Sequence, residues 1–161
     1  MTRPDEDARF ADGAERPLHL LAVGPEDLQV ISALVQDAVL PASEMRWDRR
    51  GRRLALLVNR FRWESRETAE RRGSPYERVQ SVLSIEDVRA VSSQGIDRGN
   101  PGLVLSLLSI GFEPGEDGAG RVVLTLAGDG AVAVEVECLE VSLHDVTRPY
   151  QAPSGKAPDH P

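Results

Sequence analysis

Cysteine, lysine and aromatic side chains are scarce in this sequence. Cysteine occurs once, as Cys138, which excludes an internal disulfide bond and is typical of a reducing compartment. There is one lysine, Lys156, and the aromatic side chains amount to three Phe, two Trp and two Tyr. With so few rings available, we expect Phe61 and Trp63 to be needed in the core rather than displayed for a ligand.

Long apolar runs are missing as well. No stretch approaches the roughly 18 residues of a membrane span, and the first residues are mostly acidic, so we predict no membrane association and no secretory signal. The 161 residues, 40% of them hydrophobic and 28% charged, fit one globular domain of a cytoplasmic protein. We predict a disordered extension over residues 1–16, a single domain over 17–147 and a disordered tail over 148–161.

The patterns that carry catalysis or bind metals and cofactors do not occur. His19, His144 and His160 are scattered without zinc-ligand spacing. The sequence has no Gly-x-Ser-x-Gly elbow, Walker A motif or Gly-x-Gly-x-x-Gly fingerprint. Cys138 follows a run of inward-facing valines, so we expect a buried and inert thiol. We therefore predict no catalytic residue, no metal and no cofactor, and we favour a protein that is not an enzyme.

Residues 53–64 are the most informative segment of the chain. Residues 54–58 are apolar on both faces, as in a strand that is covered on both sides. From Asn59 onwards the pattern alternates, which places both aromatic rings on one face and the guanidinium groups of Arg60 and Arg62 on the other. We therefore predict a strand that starts in the core and ends at an exposed rim.

Turn residues and hydrophobic periodicity predict the other elements. They are a strand over 18–23, a helix over 25–40, a hairpin of 45–47 with the strand from 53, a charged loop over 65–75, strands over 79–84, 88–93 and 103–112, a hairpin of 121–127 with 131–137, and a short helix, favoured over a strand, at 138–146. The sum is an α+β fold: a strand and helix followed by an antiparallel meander that forms a curved sheet packed by one or two helices. By fold-level analogy, such a meander is similar to a pleckstrin-homology-like half-barrel.

The net charge of −7 is unevenly distributed. Residues 49–78 contain ten arginines against four glutamates, a local charge of +6 that leaves −13 for the rest of the chain. The segment is either a basic patch for phosphate or an acidic partner, or a set of arginines that face the protein's own acidic half. Nucleic acid is disfavoured, because a stacking platform needs rings and cations on the same face.

Two functional hypotheses follow for the predicted rim. The favoured one is a non-catalytic binding or adaptor domain, whose protein partner or small anionic ligand contacts Asn59, Arg60 and Arg62, together with Asp97 and Arg98 from a turn-rich loop. The alternative is an enzyme or anion-binding protein with a pocket around Asn59, Arg60, Asp97 and Asp37. In either case, an uncovered sheet edge would allow pairing across a two-fold axis, and the sequence does not fix the oligomeric state.

Several sequence blocks, in a fixed order, carry a resemblance to a known family. They are residues 34–39, 57–64, 77–79, 95–98, 105–110 and 134–138. Over residues 17–147 the chain resembles a domain-of-unknown-function family (DUF2948-like) found mainly in alphaproteobacteria. The resemblance implies a compact, cytoplasmic, single-domain protein, and it brings no activity, ligand or catalytic residue with it.

Overall fold

A computed structural model describes residues 16–73, 76–97, 99–100 and 102–151. The described chain forms a curved, mainly antiparallel sheet with two short helices, which confirms the α+β prediction at that level. Almost all of the predicted N-terminal extension and residues 152–161 of the predicted tail lie outside the described residues.

Eleven strands and two helices are found in the described part of the chain. The strands are β1 (His19–Ala22), β2 (Val39–Pro41), β3 (Met45–Asp48), β4 (Arg53–Phe61), β5 (Glu77–Ile85), β6 (Val88–Gln94), β7 (Val104–Pro114), β8 (Gly120–Leu126), β9 (Ala131–Val136), β10 (Val141–Asp145) and β11 (Tyr150–Gln151). The helices are α1 (Pro25–Leu34) and α2 (Arg66–Arg72). β11 lies within the segment predicted as a disordered tail.

The sheet runs in the order β1-β10-β5-β4-β2-β7-β8-β9-β6, with β3 paired to β4 and β11 paired to β5. The short strand β2 joins two halves, because Val39 pairs with Asn59 of β4 and also with Ser106 of β7. β6, the final strand of this order, starts beside the β3–β4 hairpin, where the Val88 N–H donates to the Arg52 carbonyl oxygen at 2.9 Å. We call the gap between β3 and β6 the seam.

The core fills the concave side of the sheet beneath α1. Leu28 and Ile31 of α1 are buried, and the helix is tied to β7 by the Ile110 N–H, which donates to Ser32 Oγ at 3.1 Å. Fully buried aliphatic side chains from both halves pack together, including Leu56, Val58, Leu83, Leu107, Leu124, Val132, Val134 and Leu143. One continuous core therefore holds the two halves together.

Helix α1 ends earlier than the predicted position 40. Leu34 is its last residue, and Asp37 adopts a positive φ of 64°, a left-handed conformation that Asp tolerates. The Asp37 N–H then donates to the Leu107 carbonyl oxygen, and the Leu107 N–H to the Ala38 carbonyl oxygen, both at 2.8 Å. Pairing with β7 therefore replaces the last helical turn, and residues 39–41 become β2.

The predicted charged loop over residues 65–75 contains the helix α2. Two ion pairs at i,i+4 spacing support it, Arg66 with Glu70 at 3.1 Å and Arg71 with Glu67 at 3.3 Å. Gly73 ends the helix with a φ of 64°, the left-handed residue that commonly terminates helices. The loop prediction was wrong for residues 66–72 because it counted charges and ignored their spacing.

The predicted short helix at 138–146 is instead the strand β10. Leu143 pairs with Leu83 of β5 on one side and Leu20 of β1 on the other. A strand with two neighbours hydrogen-bonds on both edges, and this long-range pairing decides a segment whose local pattern suited either structure.

The predicted hairpins are confirmed. β3 pairs with β4, from Met45 opposite Leu56 to Asp48 opposite Arg53. β8 pairs with β9, and the turn between them has positive φ at Gly128 (79°) and Asp129 (66°). The two left-handed residues of this turn are thus Gly-Asp rather than the Asp-Gly pair that the sequence suggested.

No helix in the described ranges is long and apolar enough to span a membrane.

Candidate functional site

The predicted rim is a buried network rather than an exposed surface. The Arg60 side chain is 0% exposed, and its Nη1 and Nη2 atoms donate to Glu64 Oε1 and Oε2 at 2.9 and 2.7 Å. Nη2 also donates to Asp145 Oδ1 at 3.0 Å, and Nε donates to Ser81 Oγ at 3.0 Å. We call Arg60, Glu64, Ser81 and Asp145 the Arg60 network.

Asp145 is the hub of this network. Its Oδ1 accepts a hydrogen bond from Ser81 Oγ at 2.6 Å, and its Oδ2 accepts one from the Leu18 N–H at 2.8 Å. Burial alone would lower the pKa of Arg60, but the hydrogen bonds and negative charges of Glu64 and Asp145 outweigh it and raise that pKa above its ordinary value. The guanidinium is therefore a permanent charge neutralised inside the protein.

Arg62 is buried as well. Its side chain is 4% exposed, and Nη1 donates to Glu77 Oε1 at 2.7 Å. The prediction that Arg60 and Arg62 are exposed was wrong, since internal carboxylates occupy both groups. The local cause is the chain after β4, where Trp63 to Ser65 form a 3-10 turn that places Glu64 over Arg60.

The aromatic part of the prediction holds. Phe61 is fully buried and meets the Trp63 ring edge-on at 4.6 Å between ring centroids. Trp63 Nε1 donates to the Gln36 carbonyl oxygen at 3.0 Å, which ties the end of β4 to the segment after α1. Both rings are thus structural, as their scarcity in the sequence indicated.

The remaining predicted site residues do not converge on one place. Asn59 Nδ2 donates to the Tyr150 hydroxyl, and Arg78 Nη1 lies 3.4 Å from Asn59 Oδ1. Asp37 lies in the turn between α1 and β2. Asp97 is exposed in the loop after β6, where its Oδ1 accepts from the Gly99 N–H at 3.0 Å, and Arg98 lies outside the described residues.

A different site is present at the seam. A cavity of about 470 Å³ lies between the β3–β4 hairpin and β6, within the size range of small-molecule sites. We call it the seam cavity; its lining residues are Ala42, Ser43, Met45, Trp47, Arg49, Leu54, Val91, Ser93, Ile96, Asp97, Asn100, Leu105 and Val132. Buried Leu54, Leu105 and Val132 give it an apolar floor.

Trp47 and Arg49 form one end of the seam cavity. The Arg49 guanidinium carbon lies 4.6 Å from the centroid of the Trp47 ring, a cation–π contact. Trp47 Nε1 is buried and has no hydrogen-bond partner in the described chain. Within the same described residues, no carboxylate lies within ion-pair distance of Arg49. This end therefore offers a cation to a ligand.

The other end of the seam cavity is formed by the loop after β6. Ile96, Asp97 and Asn100 line it, and the Ala42 N–H donates to the Leu103 carbonyl oxygen at 2.9 Å nearby. Of the predicted site residues that the structure describes, Asp97 alone borders this cavity. Of the described lining residues, only Arg49 and Asp97 carry ionisable side chains with a formal charge at neutral pH, and they come from opposite ends.

Sequence reasoning missed Trp47 and Arg49. A usable signal was present: a scarce tryptophan two residues before an arginine, at the turn of a hairpin, places ring and cation on one face of an extended chain. The other wall of the cavity comes from β6, more than 40 residues further along the chain. No local pattern connects Val91 and Ser93 with that hairpin.

Cys138 is exposed, although the sequence predicted a buried thiol. Its thiol is exposed and donates to Asp87 Oδ2 at 3.0 Å. That hydrogen bond, with smaller contributions from burial and from the charges of Asp87, Glu140 and Glu137, raises the pKa of Cys138 above its ordinary value. A thiol held protonated reacts slowly, because the thiolate is the nucleophile.

The described residues include no group of three or more His, Cys, Asp or Glu side chains positioned to hold a metal ion.

The sheet topology, helices and buried charge network define a mainly antiparallel α+β protein with an open seam. The chain belongs to the family described as Protein of unknown function (DUF2948), whose sequence model matches residues 18–160. This confirms the family indicated by the sequence blocks. No curated protein and no solved structure is found to match the chain.

Proposed function

We propose that the protein is a non-catalytic binding domain whose site is the seam cavity, and that its ligand has an apolar body and an anionic group. The observation that carries the proposal is the Arg49 guanidinium stacked on Trp47 beside an apolar floor. An apolar cavity with a few polar groups at its ends suits a ligand that is buried along its body and oriented by its termini. The Arg60 and Arg62 side chains are not part of this site.

Binding rather than catalysis is supported by the lining. Arg49 and Asp97 enter from opposite ends, so the cavity does not set a general acid beside a general base.

We also propose a cytoplasmic location, because the chain has a single cysteine, and a half-barrel of the pleckstrin-homology type. The curved antiparallel sheet supports the half-barrel, whereas the terminal helix that the analogy requires is replaced by β10.

A panel of aromatic and branched aliphatic carboxylates, each with its matched primary alcohol, tests the proposal. We expect carboxylates to raise the melting temperature and change Trp47 fluorescence, since a ligand at 100 times its Kd stabilises by about 2.7 kcal/mol. Arg49→Gln should weaken the binding of the carboxylates by about tenfold, a loss of about 1.4 kcal/mol of binding free energy, and should leave the binding of the alcohols unchanged.

A blocking variant locates the site. Val91→Phe should fill the seam cavity and abolish binding, whereas Val104→Phe adds the same ring on β7, where Val104 is exposed and lies outside the cavity lining, and should leave binding intact. If no panel member raises the melting temperature at millimolar concentration, the seam cavity is rejected as the site. Binding that survives Val91→Phe would reject it as well.

A further inference from the structure

In the part of the chain that the structure describes, the seam cavity is bordered by the edges of two strands that each have one neighbouring strand. Met45 and Trp47 line it from β3, and Val91 and Ser93 line it from β6. In the described chain, β6 pairs only with β9, and β3 only with β4. An open strand edge presents a row of backbone donors and acceptors that a further extended segment can pair with.

The seam has two defined ends. At the hairpin end, the Val88 N–H bond to the Arg52 carbonyl oxygen closes the gap. At the loop end, Ile96, Asp97 and Asn100 form the boundary. The seven residues of β6 span roughly 20 Å between these ends. The seam can therefore hold an extended segment of about five residues. A longer chain could not continue past the hairpin end, because the seam is closed there.

Charge gives the seam a direction. Arg49 lies in the hairpin turn, at one end of the seam. Asp97 lies at the loop end. An extended peptide with its carboxyl terminus at the hairpin end runs antiparallel to β6, because β6 starts at the hairpin and ends at the loop. Antiparallel pairing is the slightly more stable arrangement.

We infer that the ligand of the seam cavity is the carboxyl-terminal segment of a partner protein, bound as an added strand antiparallel to β6. Its terminal carboxylate lies at Arg49, and an apolar side chain near that terminus packs on Leu54, Leu105 and Val132. Alternate side chains of the added strand face the cavity and the solvent, so the apolar requirement applies to every second position. This inference rests on the proposed function, since it names the partner class for the same site.

The probe is a pool of random five-residue peptides that end in Leu, Ile, Val or Phe with a free carboxyl group, and a matched pool with an amidated terminus. Both are added to the full chain labelled with nitrogen-15. We expect the free-acid pool to shift the backbone amides of Ala90–Gln94 and to slow their hydrogen exchange. The amidated pool should bind about tenfold more weakly, which corresponds to a loss of about 1.4 kcal/mol of favourable binding free energy.

Two variants of the same turn serve as test and control. Arg49→Gln should remove the preference for the free acid, whereas Arg50→Gln changes the same residue type outside the cavity lining and should preserve it. Equal binding of the two pools, or shifts that spare β6, would overturn the inference. If small carboxylates bind and both pools fail, the inference falls and the proposed function stands; if neither peptides nor carboxylates bind, both fall.

Discussion

The burial of one guanidinium group determines how β4 ends. Two carboxylates and a hydroxyl surround Arg60, and they come from three places in the chain: Glu64 just after the strand, Ser81 on β5 and Asp145 on β10. Removing one member of a buried charge group leaves the others uncompensated in a medium that solvates them poorly. The network should therefore be sensitive to single substitutions.

Arg60→Met keeps much of the side-chain volume but removes the charge. We expect it to lower the free energy of unfolding by about 3–5 kcal/mol, because Asp145, which is 4% exposed, then lacks its cation. Urea denaturation measures the loss. The control is Arg53→Ala on the same strand, whose ion pair with Glu86 is largely exposed and should contribute at most about 1 kcal/mol. Similar losses in the two variants would contradict a structural role for the network.

The thiol of Cys138 gives a prediction about pH. Because the hydrogen bond to Asp87 raises the pKa of Cys138, the thiolate fraction at pH 8.5 is smaller than in a free cysteine. Alkylation by iodoacetamide should thus be slower in the folded protein than in urea. Asp87→Asn suits the positive φ of 55° at this position. It should speed alkylation severalfold and shift the pH profile of the alkylation rate to lower pH. A profile that does not move would show that Asp87 does not control the thiol.

The residue-scale predictions from sequence were correct where local pattern decided and wrong where distant residues did. The scarcity of aromatic residues correctly placed Phe61 in the core. The exposure of Arg60 was wrong, because its hub partner is 85 positions away and alternation along a strand carries no information about it. The prediction of a buried Cys138 was wrong because β9 and its buried alternation end at Val136, two residues earlier.

At the scale of elements, the paired strands β7 and β8 each contain one glycine, and the two lie in different surroundings. A Cβ at Gly120 would lie 2.5 Å from the Glu113 carbonyl oxygen and 2.6 Å from Phe112 Cζ. A Cβ at Gly111 would meet nothing within 4 Å. The two positions are therefore matched in secondary structure and differ in the space around them.

We expect Gly120→Ala to lower the free energy of unfolding by about 1–3 kcal/mol through overpacking. Gly111→Ala should instead raise it by about 0.4–1 kcal/mol, because alanine restricts the unfolded chain. Urea unfolding of both variants measures the difference. Changes of the same sign would show that close approach between the strands does not limit β8 at Gly120.

The hairpins were predictable at this scale, because turn residues and alternation lie within a few positions of each other. The end of α1 and the identity of β10 were not. Asp37 leaves the helix to pair with Leu107, 70 residues away, and β10 is held by β1 and β5. Helix α2 was missed although its i,i+4 pairs are local, so spacing of charges would have indicated it.

At the scale of the whole molecule, sheet order sets what the seam can do. Sequence reasoning gave the antiparallel meander but not the order, in which β6 returns beside the β3–β4 hairpin. The short connection from Ile85, which pairs with Leu54, sets the start of β6 beside the hairpin. The pairing of β6 with β9 is long-range, with β7 and β8 between them in the chain, and no short segment contains it. The candidate site was for that reason the part of the protein least accessible to prediction.

The first strand has the last long strand as its neighbour: His19 lies opposite His144, and the Leu18 N–H reaches Asp145. During translation, β1 and Arg60 therefore leave the ribosome well before the residues that complete their surroundings. A nascent chain that stops short of β10 carries Arg60 with Glu64 but without Asp145, the more deeply buried of its two carboxylate partners. Completion of the Arg60 network consequently waits for pairing between strands that lie far apart in the chain, which is the slow kind of contact in folding.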